Sequence, residues 1–247
     1  MNAIIDKNLQ TQMNIILGHT SHSGIKRDHN EDTYGIDLAS GLFLVADGMG
    51  GHDHGEIASA LARDHILSSI KSNIPIKQAI LNANQEIINN SLEKPGDLPM
   101  GTTVAILKVN NSAYDCAWVG DSRIYKLSKQ KLIPISSDHS YVQELVDQDL
   151  ITASQARSHP HRNVVTQALG VTDNSEIKVS LAEGKIKSGD KFLLCSDGLT
   201  EEVEDDRIAE IMNKPLSPKE IGDQLLIQAL ENGGSDNITA IILEFTG

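Results

Sequence analysis

Five short segments of this chain carry acids in the same kind of surrounding: Asn30-Glu31-Asp32, Ala46-Asp47-Gly48, Gly120-Asp121-Ser122, Ser196-Asp197-Gly198 and Ser235-Asp236-Asn237. Several stand at the end of an apolar run, beside a residue small enough to leave room for a ligand against the backbone. Carboxylates gathered on one edge of a fold repel one another unless cations sit between them. An all-oxygen donor set suits a hard divalent ion, Mg2+ or Mn2+, rather than zinc. Any one of these segments alone is equally well an ordinary Asp-Gly or Asp-Ser turn. Their recurrence at the ends of apolar runs favours a shared cation site.

The elements that must carry these corners follow from periodicity. Residues 15–18 and 42–46 read as strands. Residues 56–71 read as a helix, and a second helix starts near Pro75, where Ile76, Ala79, Ile80, Ala83 and Ile87 fall on one face and so cover a core. Residues 94–101 read as a loop. Strands are predicted at 102–109, 113–119, 124–127 and 131–135. The short polar breaks Asn110-Asn111 and Lys129-Gln130 between them suit hairpins. Further strands are predicted at 177–181, 192–195 and 238–245. Four consecutive strands argue against a doubly wound parallel sheet, so the predicted class is α+β, with two antiparallel sheets face to face and helices outside. Thr152 and Gln155 form a candidate capping box, and Ser217-Pro218-Lys219-Glu220 is a helix start whose helix stops at Gly233-Gly234. The polar stretch 140–170 is expected to be a mobile surface insert in a single domain, 14–247, preceded by a flexible extension, 1–13. The acidic run from Glu201 to Asp206 is expected to be a solvated helix start, favoured by the helix dipole.

Composition narrows the partners. The 247 residues include 34 acids against 21 Lys and Arg, a formal charge of −13. That excess repels phosphate backbones and anionic lipid, so neither nucleic acid nor a membrane surface is expected as a partner. Three Phe, one Trp and four Tyr are too few for a base-stacking platform. Cys116 and Cys195 lie in apolar runs with no CxxC pair, which suits buried thiols in a reducing compartment. No signal-like segment and no membrane-length apolar run is present, and a cytoplasmic location is expected.

Seven motifs, taken in order, resemble one known family. They are Gly24-Ile25-Lys26-Arg27-Asp28-His29-Asn30-Glu31-Asp32, Val45-Ala46-Asp47-Gly48-Met49-Gly50-Gly51-His52, Gly101-Thr102-Thr103, Val119-Gly120-Asp121-Ser122-Arg123, Asp138-His139-Ser140, Cys195-Ser196-Asp197-Gly198-Leu199 and Ser235-Asp236-Asn237. Together, over about residues 18–245, they resemble the metal-dependent serine/threonine protein phosphatases of type 2C, in particular the compact bacterial branch. The resemblance implies a four-layer α-β-β-α sandwich with a cluster of two Mn2+ or Mg2+ ions, and a weaker third, at one end. By the same resemblance Asp47 bridges two metals and the Gly48 carbonyl ligates one of them. Glu31 helps to hold that metal, with Asp32 in support. Asp197 and Asp236 complete the other metal's ligands, and Asp121 with Asp197 matches the third. Arg27 corresponds to the arginine that grips substrate phosphate, where a planar guanidinium can bind two oxygens at once.

The implied reaction is direct hydrolysis of phosphoserine and phosphothreonine in proteins by in-line attack of a metal-bridging hydroxide, reversing a bacterial kinase. No Cys-x5-Arg loop is present, and Asp47 is followed by Gly48-Met49 rather than by an aspartate-nucleophile motif. His52 is the candidate general acid, with His54 competing for the role. The insert 140–170 corresponds to the flap of bacterial members, with His159, His161 and Arg162 forming a basic arm over the substrate. A monomer is expected. A non-catalytic signalling module on the same fold would have lost some of the acids; all are present. The same chemistry could also serve a sigma-factor partner switch. A metal-dependent nuclease fits poorly with −13 and no basic stripe.

Overall fold

In the computed structural model, residues 13–50, 54–92 and 100–247 are described. β1 (Asn14–His22), β2 (Asp32–Asp37) and β3 (Leu42–Met49) lead into α1 (His54–Lys71) and α2 (Ile76–Leu92). β4 (Gly101–Thr102), β5 (Val104–Asn110), β6 (Ala113–Val119), β7 (Arg123–Ser128) and β8 (Lys131–Pro134) follow, then α3 (Tyr141–Asp147) and α4 (Ala153–Arg157). The chain continues through β9 (Ser180–Lys185), β10 (Lys191–Cys195), α5 (Asp197–Glu202), α6 (Asp205–Met212), α7 (Pro218–Asn232) and β11 (Ile238–Thr246). One sheet runs β1-β11-β10-β7-β8; the other runs β2-β3-β5-β6-β9, with β4 on β3.

Strand alternation sorts the apolar residues into three layers. Leu42, Leu44 and Ala46 of β3 pack toward Ala58 and Ile66 of α1 and Ala79, Ile80, Ala83 and Ile87 of α2. Their neighbours Phe43 and Val45 face the other way, onto Phe192, Leu194, Ile241 and Phe245 of the opposite sheet. The far faces of β10 and β11, through Leu193, Cys195, Ala240 and Ile242, meet Ile208 of α6 and Ile221 and Leu225 of α7. This is the four-layer α-β-β-α sandwich with antiparallel sheets. Each large apolar side chain fully buried in these layers contributes roughly 1.5–3 kcal/mol, which explains how a chain poor in aromatics builds a firm core from Ile, Leu and Val.

Local signals behave as their chemistry predicts. The hairpin breaks hold Asn111, Lys129 and Gln130 at positive φ. Both capping boxes form, Thr152 with Gln155 and Ser217 with Glu220, the latter with Pro218 opening the helix. Four elements depart from expectation. β2 is a strand that periodicity does not reveal. β1 runs on through polar residues to His22, paired with β11 along its whole length. The predicted strand 177–181 lies at β9 instead, while Ile177 and Val179 pack against the α1–α2 layer. The acidic run is not one solvated helix start. Glu201 and Glu202 end α5, Val203 is fully buried, and only Asp205 and Asp206 open α6. Residues 1–12 of the expected extension lie outside the described residues, as does His52. No helix among the described residues is long and apolar enough to cross a membrane.

Candidate active site

The acids meet where β2 and β3 of one sheet come against the end of β10 and the start of β11 in the other. Asp32 and Asp47 are opposite each other in the β2–β3 register. The Asp47 backbone is held from both sides: its N–H donates to Thr103 Oγ1 at 3.1 Å, and its carbonyl accepts from Thr103 N–H at 2.9 Å and Thr102 Oγ1 at 2.8 Å. This is why strand 102–109 breaks at Thr103. Gly48 donates its N–H to the Glu31 carbonyl at 3.2 Å. A Cβ at Gly48 would overlap the backbones of Gly55 and Glu31, so only glycine allows α1 to start this close.

The other sheet supplies its acids through small polar neighbours. Ser196 occupies the N-cap position of α5 but makes no cap bond. Its hydroxyl instead donates to Asp32 Oδ2 at 2.7 Å and accepts from Thr239 N–H at 3.0 Å. Asp197 is the first residue of α5. Asn237 accepts the Glu31 N–H at 2.8 Å and donates to the Ser23 and His29 carbonyls at 2.9 and 2.8 Å. It thereby fastens the 23–30 loop to the turn before β11. Arg27 projects from that loop and donates to Asp236 Oδ2 at 2.6 Å, its side chain about half exposed. Its ion pair is therefore with Asp236 rather than with a carboxylate of its own segment. Asp121 follows Gly120, which has φ +100°. His139 clamps Gly120: Nδ1 accepts the Gly120 N–H at 3.2 Å, and the His139 N–H donates to the Gly120 carbonyl at 2.9 Å. That acceptor role leaves the proton on Nε2, which donates to Ser180 Oγ at 2.9 Å. Burial lowers the His139 pKa to about 4, so the ring stays neutral.

Electrostatics mark the cluster as a place for cations. Burial pushes Asp32 and Asp197 up to about 6 and Asp47 well above the usual carboxylate range, the last aggravated by Asp32, Asp197 and Asp121. Asp121 is raised likewise, by burial and then by Asp197 and Asp138. Asp47 lies within hydrogen-bonding reach of both Asp32 and Asp197. Asp32 Oδ1 and Asp197 Oδ1 are buried with no hydrogen-bond partner among the described residues. No three His, Cys, Asp or Glu side chains among the described residues converge as a finished ligand shell; the carboxyls stand against one another instead. Two orphaned buried oxygens, an all-oxygen donor set and mutual repulsion fit hard divalent cations, which would remove both the repulsion and the unmet acceptors.

Glu31 sits over the first turn of α1, where a Cβ on Gly55 would come within 2.7 Å of its Cδ. Ser59 Oγ donates to the Glu31 carbonyl at 2.7 Å. Arg123 is not a free cation: Nε and Nη2 make three hydrogen bonds to Asp138, at 2.7–3.0 Å. His54 is the first residue of α1; His52 lies outside the described residues. The segment expected as a basic arm contains α3 and α4, with Arg157 Nε 3.8 Å from Glu204 Oε1. Tyr141, His159 and His161 form a cluster of rings with centroids 5.7–6.0 Å apart. Glu201, raised to about 7 by burial and then by Asp197, faces the opposing influence of Arg162. Sequence reasoning assigned no role to Thr103, Ser196, Asn237 or His139. Ser196, Asn237 and His139 each adjoin an acid within a motif, and Thr103 belongs to a motif with no acid at all.

A family model described as Protein phosphatase 2C matches residues 20–231. The chain is 33% identical over 241 residues to the serine/threonine protein phosphatase PstP of Mycobacterium tuberculosis, covering 94% of this chain and 46% of that protein. It thus spans about half the length of that relative. It is 33% identical to the serine/threonine phosphatase stp of Listeria monocytogenes over 231 residues, 88% of this chain and 91% of that one. The crystal structure of the catalytic domain of PstP in complex with two manganese ions superposes with a TM-score of 0.84 at 30% identity, covering 95% of this chain and all of that one.

Proposed function

Because the chain belongs to the protein phosphatase 2C family, we propose that it hydrolyses phosphoserine and phosphothreonine in proteins with Mn2+ or Mg2+ as cofactor. The observation that carries this reading is Asp47, buried between Asp32 and Asp197 beside two oxygens that lack partners among the described residues. Two divalent ions held there would neutralise a phosphate monoester and make water a nucleophile at neutral pH. Asp47, Asp197, Asp236, Glu31 and the Gly48 carbonyl would hold them, with Asp32 in support and Asp121 with Asp197 available to a weaker third.

The chain's own groups supply the rest. Arg27, pinned at one N–H by Asp236, has further donors for phosphoryl oxygens. Hydrolysis is direct. Both cysteines are buried, Cys116 pushed up by burial to about 12 and Cys195 also raised, so neither offers a thiolate nucleophile. His52 protonates the departing alkoxide, with His54 the nearest alternative. The enzyme acts as a cytoplasmic monomer opposing a serine/threonine kinase. The test is phosphate release from a phosphothreonine peptide with and without Mn2+, beside Asp47→Asn. Activity that is metal-independent, or undiminished in Asp47→Asn, would overturn this reading.

A further inference from the structure

A cavity of about 790 Å3 opens beside Asp121 and Asp197, between the 140–170 insert and the α5–α6 corner. Its lining is of two kinds. Val142, Val146, Ala153 and Ala156 of α3 and α4 supply apolar lining, whereas Glu201, Glu204, Asp205 and Asp206 of the α5–α6 corner supply carboxylates. A second recess of about 590 Å3 continues past Glu201, Glu204 and Asp206 toward Gln228 and Asn232 of α7.

The guanidiniums in this cleft are already engaged or opposed. Arg123 is held by Asp138 and Tyr125 with Nη1 3.9 Å from Asp205, Arg157 lies against Glu204, and Arg162 faces Glu201. Asp206, exposed at the head of α6, has no ion pair among the described residues. An apolar lining together with carboxylates matches one kind of amphipathic side chain: an aliphatic stem ending in a cation. Asp121 and Asp197, which line this cavity, are also among the proposed metal ligands, so the cavity adjoins the proposed reaction centre.

We propose that this cavity receives an Arg or Lys side chain of the substrate, a few residues from the phosphorylated Ser or Thr, with Glu204 and Asp206 supplying the counter-charge. The inference rests on the phosphatase reading and gives it a substrate class: phosphoproteins with a basic residue near the phosphorylated site. In this reading the insert lends the pocket apolar side chains, while its Arg157 and Arg162 lie near Glu204 and Glu201.

The experiment uses the full chain loaded with Mn2+. Phosphothreonine peptides differing only by Arg, Ala or Glu at each flanking position are compared by kcat/KM for phosphate release. At the best position Arg should exceed Ala by about five-fold, the worth of one partly screened ion pair, and the advantage should shrink as NaCl is raised. Asp206→Lys should bring the Arg-to-Ala ratio to near one or below, and Glu204→Gln should lower it. The ratio is taken within each variant, so a general loss of activity does not affect it. Glu204 and Asp206 are exposed and make no cap bond, so both substitutions should leave the fold intact. Equal turnover of Arg and Ala peptides, or a preference that survives both substitutions, would overturn this inference alone. Hydrolysis of no peptide would overturn the phosphatase reading and this inference with it.

Discussion

The Ser196 hydroxyl donates to Asp32 Oδ2 at 2.7 Å, and this one bond joins the two sheets at the acidic end of the sandwich. It occupies one carboxylate oxygen and leaves Oδ1 without a hydrogen-bond partner among the described residues. Ser196→Ala would strip both Asp32 Oδ2 and the Thr239 N–H of a buried partner. The expected cost is about 2 kcal/mol, or a fall of roughly 4–8 °C in Tm for a chain of this size. Thermal unfolding without metal measures it. An unchanged Tm would mean that the hydroxyl is dispensable to the sheet contact.

Gly55→Ala separates stability from metal binding. Within a helix the substitution favours folding by up to about 1 kcal/mol. The three atoms nearest the new Cβ would all belong to the Glu31 carboxyl, the movable end of a side chain. The folded protein should therefore keep or raise its Tm, while the Mn2+ concentration for half-maximal activity rises roughly ten-fold, as expected when a ligand is displaced from its seat. Titration of activity against Mn2+ decides it; an unshifted midpoint would remove Glu31 from the metal's surroundings.

Metal should stabilise the protein in a pH-dependent way. Asp32 and Asp197 titrate at about 6 in the folded metal-free chain against 3.8 as free carboxyls. The folded state thus holds these protons more tightly than the unfolded one. Their contribution to stability is complete below 3.8 and is lost as pH rises through about 6. Cations replace the protons, so the gain in Tm on adding Mn2+ should be larger at about pH 7.5 than at about pH 5, and smaller in Asp47→Asn at either. Differential scanning at the two pH values tests this; an equal gain at both would mean that the carboxyls carry no protons for the metal to displace.

A general acid is revealed by its leaving groups. His52→Ala should reduce turnover of a phosphothreonine peptide by about 10²-fold or more, and that of p-nitrophenyl phosphate much less, because nitrophenolate departs without a proton. Equal losses on the two substrates would dismiss His52 from this role. The same comparison for His54→Ala distinguishes the two histidines.

Much of the acidic constellation was legible because each member stands beside Gly, Ser or Asn at a strand end, a pattern that survives without knowledge of the fold. The layer order was legible from the period of β3, β10, β11 and α2. What escaped was whatever depends on a distant partner. β2 reads Asp-Thr-Tyr-Gly-Ile-Asp, and its Gly35 packs against Leu44, Arg63 and Leu67, contacts that no local pattern signals. The polar half of β1 is a strand because β11 offers a backbone edge to it. Ser196 looks like a helix cap in sequence and becomes a sheet-to-sheet link only once Asp32 is brought across from 164 positions away. Nor does charge counted along the chain reveal that Glu204 lies 3.8 Å from Arg157 of the insert, or that Glu201 feels Arg162.

The pairing of β1 with β11 sets an order of events. Nine consecutive residues, Asn14 to His22, pair among the described residues with one strand, Ile238 to Thr246. Asn237, which fastens the Arg27 loop and Glu31, immediately precedes that closing strand. During synthesis the earlier-made half of the cluster must therefore wait, with Asp32 and Asp47 already on one hairpin, until the final strand emerges from the ribosome. A nascent chain stalled before residue 237 would carry most of the acids and none of the closure. Metal competence should thus arrive in a single late step, after translation has passed β11, rather than accumulate as the chain grows.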